Sequence, residues 1–182
     1  IILPSASDIE AEYGSIAIKN QSMNSKFSQA IFECYYDVLN HMAIKCILAH
    51  GLSYEVNLAI QLLDCTTEQD LLIYDRAYAS YEFLATLTQQ SKNYLIRCPI
   101  SSFKSAQLLA KDPKNWSKVV TLKPSSSQKK NIKEKGLPLE IMVRFVTVIL
   151  STGEVEILAT SLMDTDINRA EFKSLYGMRW GV

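Results

Sequence analysis

The chain has 182 residues, 48% of them apolar and 21% charged, with no net charge. That is the make-up of an ordinary globule with one substantial core, and it excludes a polyanion-binding argument built on total charge. No apolar run approaches the roughly 18 residues of a membrane span.

The opening Ile1, Ile2 and Leu3 read as the tail of a strand stopped by Pro4. Residues 5–29 are polar and rich in Ser and Asn, so a loop with at most short helical turns is expected there. Residues 30–36 and 42–49 are apolar runs about a turn, which predicts a hairpin. His41 and His50 read as surface and loop residues. Val56, Ala59, Ile60 and Leu63 recur at helical spacing, with Ser53 as the expected N-cap.

A short buried strand is expected at Leu71, Leu72 and Ile73, ending at Tyr74 and Asp75. An acid at the carboxyl end of such a strand sits at a sheet rim, where its oxygens can meet a hard cation. The bland alternative is an Asp that satisfies loop amides before the helix capped by Ser80. A strand over 94–98 follows.

Residues 98–160 differ in character. From Lys104 to Arg144 there are ten Lys or Arg against three acids, so this segment is basic and the rest acidic. It is read as a basic, mostly antiparallel insertion: a short strand at 118–122, a mobile loop over 123–136, and a hairpin of 139–150 with 155–160. A last helix, capped by Asp164 or Asp166, carries Phe172, Leu175, Tyr176 and Arg179. Tyr176 and Arg179 are three apart and share a face.

Cys34, Cys46, Cys65 and Cys98 are far apart in sequence and form no Cys-x-x-Cys pair. They predict neither a zinc site nor a disulfide framework, but reduced, buried, small apolar groups in a cytoplasmic protein. The missing Met and the abrupt end at Val182 suggest a piece of a longer protein.

Asp75-Arg76-Ala77-Tyr78, with the helix and the strand ending in Ile96-Arg97, resembles the second catalytic block of DDE transposases of the insertion-sequence-four family. Leu175-Tyr176-Gly177-Met178-Arg179-Trp180 looks like the start of that family's Tyr, Arg, Glu, Lys signature. Tyr36-Asp37-Val38-Leu39-Asn40 and Thr160-Ser161-Leu162 also read like family sequence. The resemblance covers nearly the whole chain.

It implies an α/β, ribonuclease H-like mixed sheet flanked by helices, with a β-rich insertion before the last helix. The boundaries expected are a core over 1–97, the insertion over 98–160, and a core C-terminal helix over 161–182. It further implies three acids holding two Mg²⁺ or Mn²⁺ ions for in-line attack on a DNA phosphodiester. Asp75 matches the second acid, as catalytic residue and metal ligand. Tyr176 and Arg179 match signature members that contact DNA backbone.

The signature Glu would fall at position 183 and the first acid before Ile1. Asp8 and Glu171 are poor substitutes, so the chain is expected to be inactive by itself. Arg76, Tyr78, Lys129 and Lys130 are further candidates for DNA contact, with Lys133 and Lys135 beside them, against the alternative of a solvated loop. Trp116 is a candidate base-stacking wedge, or else a core Trp. The implied partners are transposon ends and target DNA, with a dimer in the DNA complex. The rival readings are a non-catalytic DNA-binding domain with a degenerate transposase fold, and an unrelated α/β hydrolase of small phosphoesters.

Overall fold

The structure, a computed structural model, describes residues 1–20, 23–112 and 114–180. It divides into two compact units, Ile1–Thr66 and Thr67–Val182.

The first unit runs β1 (Ile2–Leu3), α1 (Ser7–Tyr13), β2 (Ser15–Asn20), β3 (Met23–Asp37), β4 (Met42–His50) and α2 (Glu55–Leu62). The 15-residue β3 is its axis. Its first half pairs antiparallel with β1 and β2, and its second half with β4. The expected hairpin is therefore present, but the expected loop over 5–29 is not: it is a helix, a strand and the front of β3. Gln21 and Ser22 of that stretch lie outside the described residues. A Ser/Asn-rich strand carries little local signal, and here the ladder from Ser15↔Ser28 to Asn20↔Met23 makes the strand. The N-cap of α2 is Tyr54, with no side-chain cap, so Ser53 does not fill that role. Val56, Leu58, Ala59 and Leu62 are buried, and the Tyr35 hydroxyl donates to the Ala59 carbonyl at 2.9 Å.

Gly14 links α1 to β2 at φ 81° and ψ 177°, a region that only glycine occupies freely. A Cβ there would lie 2.5 Å from Nε2 of His50, whose Nδ1 accepts from the Leu52 amide at 3.1 Å. Gly14→Ala is expected to lower the stability of this unit by about 1–3 kcal/mol, read as a lower urea midpoint by circular dichroism.

The second unit runs β5 (Leu71–Tyr74), α3 (Tyr81–Gln89), β6 (Asn93–Cys98), α4 (Lys104–Ala110), β7 (Ser117–Leu122), α5 (Lys129–Glu134), β8 (Ile141–Ile149), β9 (Val155–Thr160) and α6 (Arg169–Gly177). Its sheet has the order β5-β6-β9-β8-β7. β5 and β6 are parallel and joined through α3, whereas β6, β9, β8 and β7 pair antiparallel. The result is a mixed α/β architecture with sheets flanked by helices, the ribonuclease H-like fold class. Of the three strands from 98–160, β9 hydrogen-bonds onto β6, and β8 and then β7 continue the sheet from it.

Ser80 caps α3 as expected, accepting from the Phe83 amide at 3.2 Å. The cap of α6 is Asn168, not Asp164 or Asp166. Its side chain accepts from the amides of Ala170 and Glu171, and Glu171 accepts in return from the Asn168 amide. This Asn-x-x-Glu capping box was open to reading in the sequence. The loop expected over 123–136 contains α5, which buries Ile132 at 1% exposure. Gly136, at φ 66°, closes it: its amide donates to Lys133 and that of Leu137 to Ile132. Leu95, Val146, Val148, Leu158, Phe172 and Tyr176 form a core cluster between sheet and α6.

Candidate active site at the end of β5

Tyr74 ends β5 buried, its ring 4.9 Å from Phe83 edge-on and 5.0 Å from Tyr78. These rings fix the backbone where the strand stops. Asp75 follows in extended conformation, and its Oδ1 accepts from the Arg76 amide, opening a 3-10 turn over Arg76–Tyr78. The bland expectation for this Asp, a loop-amide cap, is thus one part of what it does.

The other part comes from 104 residues further on. The capping box starts α6, Phe172 and Tyr176 anchor it in the core, and a 3-10 turn over Met178–Trp180 brings Arg179 back to β5. Nη2 of Arg179 donates to Oδ2 of Asp75 at 3.2 Å. Both side chains are about one-third exposed, at 30% and 32%. The Arg179 guanidinium also lies 4.7 Å from the Trp180 ring centre. Gly181 and Val182 lie outside the described residues.

Tyr176 stands within electrostatic reach of Asp75, Arg179, Arg97 and Glu156. Its hydroxyl is buried and has no hydrogen-bond partner among the described residues. Burial pushes the phenol above its ordinary range, and Arg179 opposes that shift. The Arg97–Glu156 ion pair completes the group. Leu158 is the cross-strand partner of Arg97, so Glu156, two residues along β9, is its diagonal neighbour on the same face. Sequence reasoning did not single out Glu156; the alternation along 155–160 beside a strand ending in Arg was the available signal.

The other candidates scatter. Arg76 is exposed next to Asp75, whereas Tyr78 is 9% exposed and packed against Tyr74 and Phe83. Lys129 and Lys130 are exposed at the start of α5, with Lys130 3.8 Å from Glu134. Trp116 is half-buried, 6.5 Å from the Phe172 ring and beneath the Arg144 guanidinium at 5.4 Å.

A family model described as the transposase DDE domain matches residues 12–182. The chain belongs to the transposase DDE domain family. Membership makes it a domain of a DNA-acting enzyme class, that of transposition and recombination, which works with a divalent metal. No curated protein matches the chain. Among the described residues no helix is long and apolar enough to cross a membrane.

A divalent cation wants several anionic oxygens. Among the described residues no group of three or more His, Cys, Asp or Glu is placed to hold one. Asp75 is a single carboxylate with a guanidinium on one oxygen and an amide on the other. The described residues alone therefore do not fit the family's metal.

Proposed function

We propose that this chain is part of an insertion-sequence-four type transposase that cuts DNA at the ends of its element and transfers the strand. The single observation that supports this reading is the 3.2 Å contact between Asp75, at the rim of the parallel strands, and Arg179, three residues after the buried Tyr176. On this reading Asp75 is the catalytic carboxylate that these residues contribute to a Mg²⁺ or Mn²⁺ site, and the other carboxylates come from outside residues 1–182. The 182 residues by themselves then bind DNA without cutting it.

Arg179 carries a positive charge that Asp75 holds in place, and a DNA phosphate arriving at the rim exchanges one anionic partner of Arg179 for another. The Tyr176 hydroxyl has an unused donor but is buried, and it hydrogen-bonds the same backbone only once the rim opens over it. Arg76 extends the positive rim. We further propose the division into a core over 1–97, an insertion over 98–160 and a C-terminal core helix over 161–182. Lys129 and Lys130 on the insertion neutralise phosphates further along the duplex, and Trp116 stacks on a base there only if it leaves Arg144. The active complex is a dimer on paired ends.

The direct test is Mg²⁺-dependent cleavage of the element's own terminal repeats by the full reading frame. Cleavage supports the proposal; binding without cleavage leaves the non-catalytic DNA-binding domain as the better reading. Arg179→Ala is expected to weaken end binding and to lower the slope of log affinity against log salt by about 0.9, the value of one phosphate contact. Because the Asp75–Arg179 pair is partly exposed, the same change should alter stability by less than about 1 kcal/mol. A gel-shift series at several salt concentrations, alongside urea unfolding, reads both.

A further inference from the structure

The β3–β4 hairpin holds two cysteines directly opposite each other. Cys34 and Cys46 are register partners in the antiparallel ladder, so both side chains leave the sheet on the same face. Their Sγ atoms are 2.8 Å apart, with the Cys46 thiol donating to the Cys34 sulfur. Directly opposite residues in such a ladder also have the Cα separation that a disulfide spans. Of the four cysteines expected to be buried only Cys98 is; Cys46 is exposed and Cys34 half-buried, which gives a small oxidant one sulfur to reach and places the second behind it.

We propose that Cys34 and Cys46 form a reversible cross-strand disulfide when the chain meets a low-molecular-weight disulfide such as oxidised glutathione. The Cys46 sulfur, as thiolate, attacks one sulfur of the oxidant, forming a mixed disulfide and releasing one small thiolate. The Cys34 thiol gives its proton to solvent and its sulfur attacks Sγ of Cys46. The Sγ–Sγ bond forms as the second small thiol leaves. Two protein thiols are oxidised and one small disulfide is reduced, so electrons and atoms balance.

The second step is the slow one. Burial, the Cys46 thiol, Glu33 and Cys65 push the Cys34 thiol up to about 11, so little thiolate is present near neutral pH. Closure depends on the attacking sulfur already lying in contact with its target. Once closed, the bond staples the two strands on either side of the turn that carries His41, whose φ is 51°.

The test uses the whole chain, incubated with oxidised glutathione, with thiols then blocked by iodoacetamide in denaturant and the digest analysed by mass spectrometry. The expected result is a fall from four free thiols per chain to two, and a cross-link joining the tryptic peptide of Cys34 to the peptide that holds both Cys46 and Cys65. Cys65→Ser should keep the cross-link, its titre falling from three thiols to one. Cys46→Ser should lose it and keep three. Dithiothreitol should restore all four in the unmodified protein. Four thiols left unreacted, a cross-link between chains, or a cross-link that survives Cys46→Ser and vanishes in Cys65→Ser would each overturn the proposal. Fragment-ion sequencing of the cross-linked peptide from the unmodified chain places the bond on Cys46 or on Cys65, and a bond on Cys65 overturns the proposal, so no variant needs to fold for the result to count.

Discussion

Asp75→Asn is expected to lower Mg²⁺-dependent cleavage of transposon ends by roughly 10³-fold in the full reading frame, which is about 4 kcal/mol of transition-state stabilisation. The change keeps the size and planarity of the side chain and one oxygen for the Arg76 amide. It removes the negative charge that faces Arg179 at 3.2 Å and that a dication requires. Stability should barely respond. Both partners are about one-third exposed, and solvent screening limits such a pair to less than about 1 kcal/mol. Cleavage assays and urea unfolding on the same preparation therefore separate the two roles. Intact cleavage removes Asp75 from the catalytic set, and a loss of several kcal/mol of stability makes it a structural residue instead.

The second large effect belongs to a residue that total charge misrepresents. Arg144 is one of the ten bases of the basic segment, yet it is 3% exposed in the middle of β8. Its guanidinium lies 5.0 Å from the Phe172 ring and 5.4 Å from Trp116. Nε donates to the Ser117 hydroxyl at 2.7 Å and Nη1 to the Asp164 carbonyl. Burial lowers its pKa, and the nearby Asp164 carboxylate opposes that shift.

Arg144→Met fills similar volume but strands both acceptors and removes the charge from two aromatic faces. The expected loss is about 2–4 kcal/mol of stability in the second unit. Trp116 fluorescence in a Trp180→Phe background reports it, since Trp180 is 66% exposed and its signal would obscure the change. DNA affinity should keep its salt slope, because a buried guanidinium neutralises no phosphate.

How much of this was legible depends on where each signal sits along the chain. The strand at Leu71, the acid after it, the Ser80 cap and both hairpins were readable because their determinants lie within a few residues. Tyr176 and Arg179 were placed on one face by spacing alone, although α6 ends at Gly177 and a 3-10 turn carries Arg179. What failed was non-local. β2 and the front of β3 are polar strands that exist because they pair with each other, and no short window encodes that. α5 looked like a charged loop because one buried side chain, Ile132, outweighs five polar neighbours. The Arg97–Glu156 ion pair joins residues 59 apart in sequence and depends on the register between β6 and β9.

The span of 104 residues between Asp75 and Arg179 also has a meaning in time. A ribosome adding about 5–20 residues per second reaches Arg179 some 5 to 20 seconds after it has placed Asp75. Throughout that interval the nascent polypeptide displays its acid without the guanidinium that faces it. The carboxylate and its guanidinium partner therefore stay apart for that interval, and a message broken between their two codons yields a product that lacks the pair.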